Sequence, residues 1–376
     1  MAKILVVSNI PWHALKQRPQ FLAELLSKRY EVVFFESPGS FPRRLIMRKA
    51  IRPLNDRILL IQNNKLMPFR PIFKGLHFVE VNRALNERFL TSFLGPGEEV
   101  VVIAENYLYL NYLKLRDRFN IRKIIYDCVD LIEYFDPANR TFRLSYEEQL
   151  AEAADHIVVV SRELERKFNG YGKKVVRISN GVDFDQFQKA MDLDLVEICE
   201  RVRKGFPNVL GYIGSIDERF DFEVIERVLG RNVDSRAVLI GLLGKEASKR
   251  YHHLHQKFGD RIETLGVVDH DRLAPYIKYF DFGIMPYNLQ YPAVKGINPV
   301  KLNQYFAMGK SVIANVWEEL SGLHDNRKLI DFNTYIENRT VVEKNLNGKG
   351  YEEKIAIARA NDWENKVQGF INLIEN

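Results

Sequence analysis

Short runs of consecutive apolar residues alternate along the chain with stretches whose apolar residues recur every three or four positions. The first pattern predicts strands buried on both faces, and the second predicts amphipathic helices packed over them. Strands are expected at residues 3–8, 31–36, 99–104, 123–127, 156–161 and 174–179, with helical patterning between them, for example over 18–27 and 145–154. The same rhythm restarts at 208–213, 237–242, 261–265, 282–285 and 310–314. Residues 361–374 then show the helical spacing of Trp363, Val367, Phe370 and Leu373. Regular alternation of strand and helix implies parallel sheets joined by crossover helices, and two such series imply two doubly wound α/β domains. The turn Asn180-Gly181-Val182-Asp183 falls between them, where Gly181 can supply a positive φ for a sharp exit from a strand. The expected division is 1–182, 183–356 and a C-terminal helical segment, 357–376, packing back on the first domain.

Bulk properties agree with this division. The 376 residues exceed what one core supports, since cores stop growing at roughly 250 to 300 residues. A 46% hydrophobic and 28% charged composition fills two ordinary cores and excludes a disordered or collagen-like chain. The opening apolar run Ile4-Leu5-Val6-Val7 falls far short of the roughly 20 residues of a membrane span and reads as a first strand. Two cysteines, Cys128 and Cys199, cannot build a disulfide framework and have no ligand-spaced neighbours, so a reducing cytoplasm is expected.

The net charge of +6 is unevenly spread. Arg43, Arg44, Arg48, Lys49, Arg52, Arg57, Lys65, Arg70 and Lys74 face the single acid Asp56 between residues 42 and 74, interleaved with Phe41, Leu45, Ile46, Met47, Ile51 and Leu54. This stretch suits peripheral contact with an anionic membrane at the inner face of the cell, or else a solvated loop and helix face. No nucleic-acid-binding signature accompanies it.

Open parallel sheets bind ligands outside the carboxyl ends of their strands, so the chemistry is sought in strand-to-helix loops. In Asn298-Pro299-Val300-Lys301-Leu302-Asn303-Gln304-Tyr305, Pro299 can open a helix, Lys301 lies in its first turn and Gln304 one turn on. A lysine together with the free N–H groups of a helix start can neutralise a diphosphate without a metal. An ordinary amphipathic helix with a solvated lysine has the same pattern. Arg219, in Asp217-Glu218-Arg219-Phe220-Asp221, is a second cation for a diphosphate or carboxylate, or a salt-bridge partner of Asp217 or Asp221.

The string Pro299, Lys301, Tyr305, Ala307, Gly309, Lys310 and Val312 resembles an element of the donor domain of GT-B glycosyltransferases. Leu210 to Ser215, Leu239-Ile240-Gly241, Leu265-Gly266-Val267, Phe282 to Tyr287 and Ser179 to Asp183 agree with that family in order and spacing. The resemblance covers nearly the whole chain and implies two Rossmann-like domains facing a cleft. The paired glutamates of the commonest retaining pattern are missing, with Gly296 and Gln304 in their places, and Ser215 stands where a basic residue is usual. Lys301 followed by Gln304 is instead similar to the inverting glucuronosyltransferase of xanthan assembly, and Trp12 to Gln20 with Tyr126 to Asp130 resembles the glycosyltransferases of teichuronic acid synthesis. The resemblance implies that Lys301 and Gln304 contact UDP and that Tyr287 lines the donor pocket, and Gly214, Arg219 and Val300 are further donor-site candidates.

In the first domain, Tyr126-Asp127-Cys128-Val129-Asp130 offers two carboxylates just past a strand. An inverting transfer needs one base within reach of the acceptor hydroxyl. Asp130, further into the loop, is the better-placed base, while Asp127 can cap the next turn. Trp12 offers a flat face for a sugar, Arg18 a fork for an anion, and Gln20 belongs to the same loop-to-helix motif, where Pro19 fits the first helical position. Ser161 reads as an N-cap that puts Glu163 in a first helical turn, and the resemblance implies that a glutamate in this stretch touches substrate.

The expectation is a metal-independent enzyme without cofactor that moves a sugar, glucuronic acid by resemblance, from a UDP-sugar to a cell-envelope or exopolysaccharide glycan. A UDP-sugar 2-epimerase of the same architecture and a non-catalytic, membrane-associated glycan-binding protein are the alternatives. Asp192-Leu193-Asp194 matches a metal-binding DxD but lies in a helical stretch, and His252, His253 and His255 have no nearby cysteine.

Overall fold

The computed structural model describes residues 2–36, 50–62, 76–95, 97–134, 137–192, 195–326, 328–346 and 350–376. The chain divides into two compact units, residues 1–179 with 366–376, and residues 180–365. Among the described residues no helix is long and apolar enough to cross a membrane.

The sheet of the first unit runs β3-β4-β2-β1-β5-β6-β7-β8. Its strands are β1 (Lys3–Val7), β2 (Val32–Glu36), β3 (Ala50–Pro53), β4 (Ile58–Gln62), β5 (Val100–Ala104), β6 (Ile121–Cys128), β7 (His156–Val159) and β8 (Val175–Arg177). All neighbouring pairs are parallel except β3 with β4. Successive side chains of a strand point to opposite faces. Leu5, Val7, Val33, Phe35, Val100 and Val102 therefore enter one core, and Ile4, Val6, Val32, Phe34, Val101 and Ile103 enter the other. The second core also takes Val367, Phe370, Ile371 and Ile374 from the last helix, Trp363–Glu375.

Two expectations change here. Part of the basic stretch is the antiparallel β3–β4 pair at the sheet edge, where Arg52 and Pro53 sit exposed on the outermost strand. A charge and a proline on an edge strand discourage pairing with another chain. Residues 42–49 and 63–74 lie outside the described residues. Gly181 has no positive φ. It must be small because a Cβ there would meet the Trp363 ring at 2.7 Å.

The second unit holds six parallel strands in the order β11-β10-β9-β12-β13-β14. They are β9 (Asn208–Ile213), β10 (Ser235–Ile240), β11 (Ile262–Gly266), β12 (Phe282–Met285), β13 (Ser311–Ala314) and β14 (Ile330–Asp331). Val209, Ile213, Val238 and Ile240 fill one core, and Leu210, Tyr212, Ala237 and Leu239 the other.

The helix Val300–Ala307 is fixed against this sheet through Tyr305. Its hydroxyl donates to the Gly211 carbonyl of β9 at 3.0 Å and accepts from the Ile213 N–H at 3.1 Å. The ring lies flat on β12 because residue 283 is glycine, where a Cβ would come within 2.4 Å of it. Gly283→Ala should push this helix off the sheet and cost about 1–3 kcal/mol, the usual penalty of overpacking a tight core. Urea unfolding of the variant checks this, and an unchanged midpoint would refute the role given to the tyrosine clasp.

Candidate functional sites at the carboxyl ends of the two sheets

In the second unit, Pro299 takes the N-cap and Val300 is the first helical residue, one place later than the sequence pattern indicates. Lys301 therefore projects from the first turn toward the end of β9. Its ammonium donates to Tyr212 Oη at 3.1 Å and Tyr287 Oη at 2.9 Å, and sits 4.2 and 4.6 Å from the centres of the two rings. Gly214, at φ +130°, makes room for it, since a Cβ there would lie 3.0 Å from Lys301 Nζ. Burial, with a smaller contribution from the nearby Arg219 charge, lowers the Lys301 pKa from 10.5 to about 7. A lysine poised in this way gains an anionic partner at little structural cost.

Arg219 lies beside this lysine and donates from Nε to Asp217 at 2.9 Å, with a further bond from Nη2 to the same carboxylate. Its hydrogen bonds to Asp217 hold its pKa above the ordinary arginine value. Gln304, one turn on from Lys301, is buried, and its side chain has no hydrogen-bond partner among the described residues. Its amide is a free donor and acceptor for a ligand.

In the first unit, a cavity of about 170 Å³ opens beyond β5 and β6, and its lining includes Asn9, Glu105, Tyr107, Asp127, Asp130 and Arg143. The loop after β5 is held by the helix Leu76–Leu90. Arg83 donates to the Tyr107 carbonyl at 2.9 Å, Asn86 to the Tyr109 carbonyl at 2.9 Å, and Glu87 accepts the Asn111 N–H at 3.0 Å. Asn106 accepts the N–H groups of Leu108 and Tyr109, which tightens the turn. Behind the cavity, Lys167 bridges Glu133 and Glu147 at 2.8 and 2.7 Å, and Tyr126 donates to Glu147 at 2.7 Å. These buried, satisfied groups make a rigid back wall.

No family model matches the chain, and no curated protein matches it. Solved structures do. The sucrose-phosphate synthase of Thermosynechococcus elongatus superposes with a TM-score of 0.74 at 16% identity, covering 100% of this chain and 98% of that one. The E. coli trehalose-6-phosphate protein bound with UDP-2-fluoro glucose gives 0.70 at 12%, covering 99% and 98%. Anabaena HepE, in complex with UDP and glucose, gives 0.63 at 14%, covering 100% of both chains. The fold is GT-B.

Within this GT-B chain, Lys301 bonds Tyr287 and lies against Gly214, with Arg219 close by and Val300 half-buried at the helix start. Asp130 lines the first-unit cavity. Asp127 caps no turn. Both its oxygens are taken by Arg18, with Nε to Oδ2 at 2.8 Å and Nη2 to Oδ1 at 2.9 Å. Arg18 also donates to the Ser179 carbonyl, so its fork is spent inside the protein.

The remaining acceptor candidates serve the scaffold. Gln20 closes a capping box with Gln17 and donates to the Pro11 carbonyl, and Pro19 is the second residue of the helix Arg18–Leu26. The Trp12 ring stands edge-on to Phe34 at 4.9 Å. Ser161 caps its helix, and Glu163 pairs with Arg166 on the same helix. Leu193 and Asp194 of the DxD lie outside the described residues, and no cluster of three or more His, Cys, Asp or Glu side chains among the described residues could hold a metal.

Sequence reading misses Tyr212, whose local sign is its place near the end of β9, two residues before Gly214. It also misses Glu105, the first polar residue after the apolar run of β5. The Glu105 carboxyl is fully buried, and its Oε1 has no partner among the described residues.

The unfolded chain binds more protons than the folded one between the lowered Lys301 pKa of about 7 and the ordinary 10.5. Stability must therefore rise with pH across that window, and the penalty is complete below it. Lys301→Met should raise the urea midpoint most at about pH 6, with the gain shrinking toward about pH 10. An equal gain at both pH values would contradict the buried, uncharged lysine.

Proposed function

We propose that this protein is a glycosyltransferase that moves a hexosyl group, glucuronosyl included, from a UDP-sugar to a hydroxyl of a cell-envelope glycan with inversion at the anomeric carbon. The observation that carries the reading is Lys301, a buried lysine at the start of a helix and at the carboxyl end of a parallel sheet. UDP or its sugar accompanies two of the GT-B structures that this chain resembles.

In this reading the UDP diphosphate takes the Lys301 ammonium and the first free N–H groups of the Val300–Ala307 helix, and Gln304 hydrogen-bonds the ribose or the uracil edge. The acceptor oxygen forms its bond to the anomeric carbon as the bond from that carbon to the diphosphate oxygen breaks. Asp130 takes the hydroxyl proton, and the leaving UDP keeps the electron pair. Charge developing on the diphosphate meets a preorganised cation, so no divalent ion is needed. Gln304 in place of a glutamate leaves no second carboxylate at that position of the donor site.

An uncharged lysine must acquire a proton to hold a diphosphate. At about pH 8 the binding of UDP should take up close to one proton, and UDP affinity should fall as pH rises above about 7. Calorimetry in buffers of different ionisation enthalpy reads the uptake, and zero uptake would exclude Lys301 as the phosphate ligand. A donor screen across UDP-glucose, UDP-glucuronate and UDP-N-acetylhexosamines then ranks the sugar.

Asp130→Asn should lower turnover about 10²–10⁴-fold with UDP affinity nearly unchanged. Retained turnover would remove Asp130 from the mechanism, and activity abolished by EDTA would remove the metal-free diphosphate site.

A further inference from the structure

Glu105 follows β5 directly, and its buried carboxyl borders the cavity that Asp130 also lines. Its Oε1 has no partner among the described residues. A buried polar atom left unpaired is costly, and native proteins keep one mainly where a ligand or an ordered water completes it. The loop bearing Glu105 is rigid: Asn9 Nδ2 donates to the Glu105 carbonyl at 2.9 Å, and Asn106 Nδ2 donates to Asn9 Oδ1 at 2.8 Å. The backbone that carries the carboxyl thus keeps its place without a ligand. We propose that Glu105 recognises the acceptor, with its unpartnered oxygen hydrogen-bonded to a hydroxyl of an unphosphorylated sugar ring beside the hydroxyl that reacts. The inference rests on the transfer proposed above and names the acceptor class for it.

The surrounding charges select that class. Asp127, Asp130 and the Glu105 carboxyl face the cavity, while Arg18 is spent on Asp127 and Arg143 donates to the Tyr107 hydroxyl at 3.0 Å. A phosphate would meet the Asp130 carboxylate, with Arg143 the one cavity-lining arginine to offset it, whereas a polyol meets donors and acceptors. The cavity is also smaller than the roughly 300 Å³ at which drug-sized sites begin, which fits a single sugar ring.

Burial first, then the charges of Asp127 and Asp130, push the Glu105 pKa well above the usual carboxylate range, against the opposing Arg18 charge and a bond from the Asn9 backbone N–H. Tyr126 and Cys128 complete the wall and bring no further charge. Glu105 therefore holds its proton further toward neutral pH than an ordinary glutamate, and in that form it donates to the sugar as well as accepting from it. Asp130 remains the proton acceptor of the reaction.

The test uses the full chain with UDP present and ¹³C-labelled glutamate carboxyls, the Glu105 signal being the one lost in Glu105→Gln. Methyl β-D-glucoside, methyl α-D-mannoside and N-acetylglucosamine are titrated against glucose 6-phosphate. The Glu105 signal should shift with at least one neutral sugar and not with glucose 6-phosphate. Glu105→Leu should weaken that sugar about tenfold or more, and Glu105→Gln, which retains a donor and an acceptor, should restore most of it. If Glu105→Leu does not fold, the carboxyl signal and the glutamine variant still decide. No shift with any neutral sugar, preference for glucose 6-phosphate, or full binding by Glu105→Leu overturns the proposal. A chain that binds UDP and ignores every sugar sinks this inference alone, whereas one that binds a neutral sugar and not UDP sinks the donor reading.

Discussion

Keeping an ammonium group in a dry site is the constraint around which the second unit is organised. Desolvation works against the charge on Lys301, and among the described residues it is met by two phenol oxygens, the faces of their rings and the nearby Asp217 charge. Such a site persists only if the backbone around it is rigid. The Tyr305 clasp onto β9 supplies that rigidity, and glycine at 283 lets the ring lie close. Gly241, at φ +147°, completes the floor, because a Cβ there would come within 2.0 Å of the Gly214 carbonyl. The setting of Lys301 thus depends on close packing several residues away from it.

The first unit solves a related problem with the opposite charge. Three carboxyls converge beyond β5 and β6, and the fold treats each differently. Asp127 is neutralised by a bidentate arginine, a geometry that makes buried pairs tolerable. Glu105 is left in a low-dielectric wall without a counter-charge of its own. Asp130 stands half-buried at the cavity. Environment, and not residue type, separates a paired acid from a buried carboxyl with an unpartnered oxygen.

Much of this architecture was legible beforehand. Apolar runs marked eleven of the fourteen described strands within a residue or two, because a parallel strand covered on both faces has few polar positions to blur its ends. The edge strand β3, its neighbour β4 and the two-residue β14 escaped, the first two because Arg52, Pro53 and Arg57 give that segment the look of a basic surface stretch. The placing of Lys301 and Gln304 was also readable, because with Pro299 they lie within one and a half turns of a single helix and need no distant partner to share a face. The pairings of the first unit were not. Arg18 and Asp127 are 109 residues apart, and nothing local announces that they consume each other.

The sequence by itself determined the two doubly wound units and the lysine at a helix start, because each follows from periodicity and short-range geometry. Only the tertiary structure decided which charged groups are spent and which are free. Arg219 and Arg18 look like anion forks in isolation and prove to be salt-bridge partners, while Glu105 looks like an ordinary loop glutamate and proves to be a buried carboxyl with an unpaired oxygen. Pairing and desolvation are long-range properties of a packed chain, and no window along the sequence contains them.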